Sequence, residues 1–349
     1  MALKRWVVGR CIMASKTTIA WTDRSWNPTV GCDKVSPGCK GCYAEKMGKR
    51  LRAMALADVA AGRNPGRKAA YIEAVDERGR WTGKVPTLPD ALGDPLKWRA
   101  PSRIFVNSMS DLFHDDVPFE FIAAVFGVMA ACQQHTFQVL TKRAARAVAF
   151  FAWLRTEAAK VPRMGGPAET IFAKWKADSA MGRDCADMGL DCRADKPDHL
   201  CFDAVAWPLP NVHLGVSVEN QETADERIPL LLQCPAAVRW VSYEPALGRV
   251  DFDNSRDWLT PVITKPAGSP RLDWIVVGGE SGPNARPFHV QWAHSTIAQC
   301  KAAGTACFVK QLGSSPCPAL DLGTKDRAGA DPSEWPDDLR VQEFPEVAP

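Results

Sequence analysis

One unit recurs along this chain: a short apolar strand, polar residues at its carboxyl end, then a stretch of helical spacing. Ile104–Ser108 is strand-like and leads to Asp111 and His114, and Pro118–Cys132 follows with helical spacing. Phe137–Leu140 ends in Thr141 and Lys142, ahead of an Arg/Ala-rich helix. Val212–Val216 ends in Ser217 and Glu219, and Glu222–Gln233 reads as a helix. Val238–Val241 ends in Ser242 and Glu244. Trp274–Val277 ends in Gly278–Ser281 before a helical Trp292–Ala303, and Ala306–Val309 ends in Lys310 and Gln311. Nearly continuous apolar strands alternating with helices imply a parallel sheet covered on both faces. A doubly wound sheet concentrates polar groups at one switch point, whereas here they follow every strand. The expected fold class is α/β, a partial (β/α) TIM-type barrel of about six to seven parallel strands with ligands at their carboxyl ends.

Residues 14–313 read as one barrel domain, with Lys16 onward as the first strand. Insertions break the rhythm at about 64–101, rich in Gly, Pro and charge, and at about 157–210, which carries Cys185, Cys192 and Cys201. The 314–349 tail is Pro- and Asp-rich and is expected to be peripheral. The chain has 349 residues, 46% hydrophobic and 24% charged, enough for a large core into which most of its 13 Trp should fall. A net charge of +3 does not by itself imply a polyanion partner. Lys40–Arg103, however, holds 14 Lys and Arg against 7 Asp and Glu, which suits either a solvated face or a phosphate-bearing partner. No apolar run is long enough for a bilayer, and Met1–Met13 lacks a convincing cleavage site, Met13 being itself a candidate start. A cytoplasmic location is expected, and there the 12 cysteines would stay reduced.

The chemistry is concentrated in Trp26–Glu45, where Cys32, Cys39 and Cys42 stand at C-x6-C-x2-C spacing in a loop rich in Gly and Pro. Three thiolates can hold three corners of a [4Fe–4S] cluster and leave one iron open to an outside ligand. Zinc is the structural alternative, with Cys11, His114 or a cysteine of the second insertion as a fourth ligand.

Several segments resemble a phage and prophage family of unknown function, the gene-product thirty-seven/sixty-eight family. They are Ile19–Asp23 with Trp26–Pro28, the three-cysteine loop, Phe105–His114, Leu140–Arg143, Leu214–Glu219, Glu244–Pro245, Gly278–Gly282 and Phe308–Gln311, in order along most of the chain. That family looks like a divergent branch of the radical S-adenosylmethionine (SAM) superfamily, nearest the spore photoproduct lyase type. The resemblance implies a partial barrel and a cluster whose unique iron chelates SAM. It further implies reductive cleavage to a 5′-deoxyadenosyl radical, an electron donor, and a substrate in the range of nucleotides or nucleic acid. This sequence departs from the superfamily's C-x3-C-x2-C loop in its longer first gap.

Roles follow by position. Cys32, Cys39 and Cys42 are the metal ligands, and Tyr43 directly follows the last. Ser110 and Asp111 stand where a SAM ammonium would be received, although Asp111 also suits a helix N-cap. Lys142 needs a carboxylate, from a ligand or from Glu219 or Glu244. Ser217 with Glu219, and Ser242 with Glu244, share a direction at i, i+2 and suit ribose hydroxyls, substrate or an internal network. Gly279 allows close backbone approach, Glu280 can accept from a hydroxyl or amine, and Lys310 closes the series. The competing reading is a non-enzymatic zinc- or cluster-stabilised nucleic-acid-binding protein, in which a fourth protein ligand joins the thiols.

Overall fold

The structure is a computed structural model that describes residues 17–160, 206–253, 257–259, 269–317 and 326–346. The start of the chain and most of the 157–210 insertion, with Cys185, Cys192 and Cys201, lie outside the described residues. The strands are β1 (Arg24–Trp26), β2 (Arg103–Val106), β3 (Thr136–Thr141), β4 (Val212–Val218), β5 (Val238–Tyr243), β6 (Trp274–Gly278), β7 (Phe288–His289), β8 (Ala306–Gln311) and β9 (Pro316–Cys317). The helices are α1 (Tyr43–Ala60), α2 (Ala70–Ala74), α3 (Phe119–Ala131), α4 (Ala144–Ala158), α5 (Gln221–Leu231) and α6 (Val290–Ala303). Seven strands pair in the order β1-β2-β3-β4-β5-β6-β8, all parallel, in a curled sheet that makes a half-barrel. β7 and β9 form a separate two-stranded ladder.

Each strand of the seven-stranded sheet after the first matches an expected one to within a few residues, whereas the short β7 and β9 have no expected counterpart. The first does not match: residues 17–23 form no strand, with a turn at Ala20–Trp21, and β1 begins only at Arg24. The side-chain period of two sorts the strands into two faces. Ile104, Val106, Val139, Val241, Ile275 and Val309 look outward into the main core shared with the helices. Phe105, Trp240, Trp274, Val276 and Phe308 look inward and, with Trp21, fill the concave side. Trp240 lies 5.2 Å from Trp21 and 5.1 Å from Trp274, ring centre to ring centre, so an aromatic plug occupies the lower part of the half-barrel.

The C-terminal segment is not peripheral. Val309 N donates to Val341 O at 2.8 Å, Phe308 and Gln342 form an antiparallel bridge, and Trp335 and Leu339 are buried. An exposed strand edge offers unpaired donors and acceptors, and residues 326–346 cover the edge of β8 in this way. Phe344 then reaches the floor of the half-barrel, 5.6 Å from the Trp274 ring and 4.2 Å beneath the Arg103 guanidinium at the start of β2.

The 64–101 crossover is structured too. Arg67 forks to Asp90 at 2.8 Å and Asp94 at 3.1 Å, which pins the segment to itself. Tyr71, Val75 and Leu88 are buried with Val30, Ala44 and Met109 in a small core that Cys42 also touches. The crossover thereby packs against the start of the three-cysteine loop, where Thr29 bridges Thr87.

Candidate active site at the carboxyl ends of the strands

The loop between β1 and α1 lies across the open end of the half-barrel, and its own sequence explains the seating. At its start, Asn27 Oδ1 accepts from Met109 N at 3.0 Å and Ser108 Oγ at 3.2 Å. Thr29 and Ser110 hydroxyls lie 2.7 Å apart, and Gly31 N donates to Met109 O at 3.1 Å. At its end, Tyr43 Oη donates to Ser108 O at 2.7 Å. Ser110 is thus committed to holding the loop.

Three charged groups support the loop from beneath. The first is centred on Asp111, which is buried and accepts from Thr141 Oγ1 (2.7 Å), Lys142 N (2.9 Å) and Phe113 N (3.0 Å). Arg143 Nη1 lies 3.2 Å from Asp111 and 3.9 Å from Cys32 Sγ, and Arg143 also pairs with Asp33, which His114 Nε2 meets at 3.0 Å. Asp111 therefore anchors a strand end and an arginine and is not the N-cap of α3. Burial pushes its carboxyl up from the ordinary range, against the pull of these hydrogen bonds.

The second group is centred on Glu219, fully buried at the end of β4. It pairs with Lys142 and with Arg227 at 3.2 Å, and it accepts from Ser36 Oγ at 2.7 Å. The third is Glu280, which Arg286 clamps at 2.8 and 3.1 Å while donating to Pro37 O at 2.9 Å. Gly38 rests directly on the Glu219 carboxylate and Gly41 on the Glu280 carboxylate, so a Cβ at either position would overlap it. Glycine there is a requirement of close approach.

The remaining expected residues also converge at this end. Lys310 pairs with Glu244 at 2.9 Å, Ser242 Oγ donates to Glu244 Oε2 at 3.3 Å, and Ser217 Oγ donates to Glu244 O at 3.2 Å. Gly279 is tied to the end of β8, with Gln311 Nε2 donating to its carbonyl at 2.7 Å. Lys142 thus meets Glu219 and Lys310 meets Glu244, and the strand-end charges form an internally compensated ring. Sequence reading missed Arg143, Arg227, Arg286, Asp33 and Ser36. Arg143 was visible as the end of Leu140–Arg143, whereas Arg227 and Arg286 lie in a helix and a turn that carry no local signal.

The three cysteines are unpaired and half-buried. Burial pushes the Cys32 thiol up to about 12, helped by the Asp111 carboxylate and opposed by Arg143. Burial also works against ionising Cys39, but there the Lys142 ammonium and backbone donors at Val35 and Ser36 outweigh it and hold the thiol below its ordinary value. Three thiols on one Gly-rich loop fit iron or zinc by donor type. Among the described residues, no three Cys, His, Asp or Glu side chains converge closely enough to hold an ion. His114, a candidate fourth ligand from sequence, is turned to Asp33.

Among the described residues no helix is long and apolar enough to cross a membrane. No curated protein and no solved structure matches the chain. Residues 16–333 match a family described as "Protein of unknown function (DUF5131)", a span that includes the three-cysteine loop, every strand of the half-barrel and every strand-end residue described above. The chain therefore belongs to the DUF5131 family.

Proposed function

We propose that the open end of the half-barrel is an iron–sulfur centre of the radical SAM type, acting on a nucleotide or nucleic-acid substrate. The observation that carries this reading is the seating of the three-cysteine loop, through Gly38 and Gly41, on Glu219 and Glu280 at the strand ends. Parallel α/β barrels bind their ligands at that end. The resemblance of the loop and the strand-end motifs to a radical SAM-like branch supports the same reading.

In this reading Cys32, Cys39 and Cys42 hold a [4Fe–4S] cluster. Such a cluster with SAM supplies one-electron chemistry, reductive cleavage of a sulfonium C–S bond followed by hydrogen abstraction from a substrate. The chain's own part is positional. Lys142 offers positive charge to Cys39, Arg143 offers it to Cys32, and Asp111 holds Arg143 in place. The aromatic plug below closes the concave side to water. Lys46, Lys49 and Arg50 are exposed on α1, which leaves the loop directly, and they suit a phosphate-bearing substrate.

The test is anaerobic reconstitution with iron and sulfide, followed by the EPR spectrum of the reduced protein with and without SAM. A [4Fe–4S] signal that changes with SAM, and formation of 5′-deoxyadenosine on reduction, support the proposal. Tightly bound zinc, or a cluster blind to SAM, overturns it and leaves the three cysteines as a structural staple.

A further inference from the structure

Asn107, the residue after β2, has φ 60°, in the left-handed region. Its side chain is buried, at 3% relative exposure, yet neither Oδ1 nor Nδ2 has a hydrogen-bond partner. Asparagine enters left-handed backbone more readily than most non-glycine residues, so the turn explains the residue type. It does not explain a carboxamide with both polar atoms buried and unmatched, an arrangement native proteins rarely keep.

The surroundings sharpen this. Asn107 N donates to Trp26 O at 2.8 Å and its carbonyl accepts from Ser110 N at 3.4 Å, so its backbone belongs to the turn that holds the three-cysteine loop. The Tyr43 hydroxyl closes on the next residue, Ser108. Around the mouth, Lys142, Glu219, Glu244, Glu280 and Lys310 are all in ion pairs, and Ser217 and Ser242 are hydrogen-bonded. Among these described strand-end side chains, the Asn107 carboxamide alone is left without a partner. What it can recognise is neutral and planar, with one acceptor and one donor side by side.

We propose that Asn107 reads a nucleobase edge at the barrel mouth, Nδ2 donating to a ring nitrogen or carbonyl and Oδ1 accepting from the neighbouring N–H. Asparagine makes this paired contact with adenine. The base belongs either to an adenosyl cofactor or to the substrate. The inference rests on the mouth being the ligand site proposed above, but not on the iron–sulfur cluster.

The test exploits the left-handed backbone. Asn107→Gly removes the carboxamide while suiting φ 60° better, and Asn107→Asp keeps size and turn preference but replaces the donor with an acceptor. Binding of SAM, adenosine and thymidine to the full chain is measured by isothermal titration calorimetry, with thermal unfolding alongside. We expect both variants to weaken binding by about tenfold or more, and Asn107→Gly to unfold no earlier than the wild type. Weakening shared by SAM and adenosine assigns the edge to an adenosyl cofactor. Weakening confined to thymidine assigns it to a substrate base. Unchanged affinities in both variants, or no binding of any of the three by the wild type, overturn the proposal. Iron content and EPR of the same preparations report separately on the cluster, so a protein that binds nucleoside through Asn107 without assembling iron keeps this inference and loses the other.

Discussion

Gly38 lies against the carboxylate of Glu219, a residue fully buried at the end of β4 and held there by Arg227 and Lys142. Gly41 stands in the same relation to Glu280, which Arg286 clamps. Neither carboxylate is free to move aside. Gly38→Ala and Gly41→Ala should therefore lift the loop, at a cost of about 1–3 kcal/mol in stability. Urea unfolding measures the cost, and iron bound per chain after reconstitution should fall with it. Wild-type stability and iron uptake in both variants would show that the loop is not seated on these carboxylates.

Removing the charge of Glu219 leaves Arg227, whose side chain is 3% exposed, with only the exposed Glu226 carboxylate at 3.7 Å. Breaking a buried pair from one side costs about 3–5 kcal/mol. Glu219→Gln should sit at the low end of that range, because Lys142 keeps 20% of its side-chain exposure and can turn to water. Equilibrium unfolding in urea reads the loss directly. A change below about 0.5 kcal/mol, typical of surface sites, would contradict the buried geometry.

Cys39 and Cys32 sit on one loop in opposite electrostatic settings. The Cys39 thiol is held below its ordinary value, whereas burial and Asp111 push Cys32 up to about 12. Since the thiolate is the nucleophile, metal-free protein at pH 8 should be alkylated by iodoacetamide at Cys39 about tenfold or more faster than at Cys32. Peptide mass spectrometry over a time course resolves the two sites. Lys142→Met should slow Cys39 selectively, and equal rates in the wild type would refute the assignment.

His213 lies on the concave side of β4, opposite Gln138 on β3, and burial lowers its pKa to about 4. Neither ring nitrogen has a partner. The unfolded chain takes up this proton near pH 6.5, before the folded protein does, so its contribution is complete above about 6.5 and is lost as pH falls toward 4. Linkage puts the loss at about 3 kcal/mol. Urea midpoints between pH 7.5 and 4.5 should fall less steeply in His213→Gln than in the wild type. Parallel slopes would show that another group governs the acid side.

Much of the half-barrel was legible because strands report their own burial. Phe105 among Ile104 and Val106, or Val276 between Ile275 and Val277, reads as a run buried on both faces, and only a sheet with two covered faces accommodates it. The strand-end residues were legible as a set for the same reason, since each follows an apolar run. Their partners were not. Arg286 meets Glu280 within one turn, but Glu219 draws Ser36 from 183 residues away and Arg143 reaches Asp33 across 110. The Pro- and Asp-rich tail read as peripheral because its composition is that of a loop, yet its Trp335, Leu339 and Phe344 find the β8 edge and the barrel floor.

By itself the sequence determined the alternation of strands and helices, the parallel sheet, the end at which polar groups gather, and the three thiols on a glycine-rich loop. These are local properties, set by side-chain period and by backbone freedom over a few residues. Tertiary structure alone decided that the charges at that end pair with one another, that Gly38 and Gly41 are spaces for carboxylates, and that the Asn107 carboxamide is left without a partner. A charge or an amide in a sequence does not specify its partner. Curling seven strands into a half-barrel brings their ends together, and desolvation there makes each unpaired group costly enough to matter.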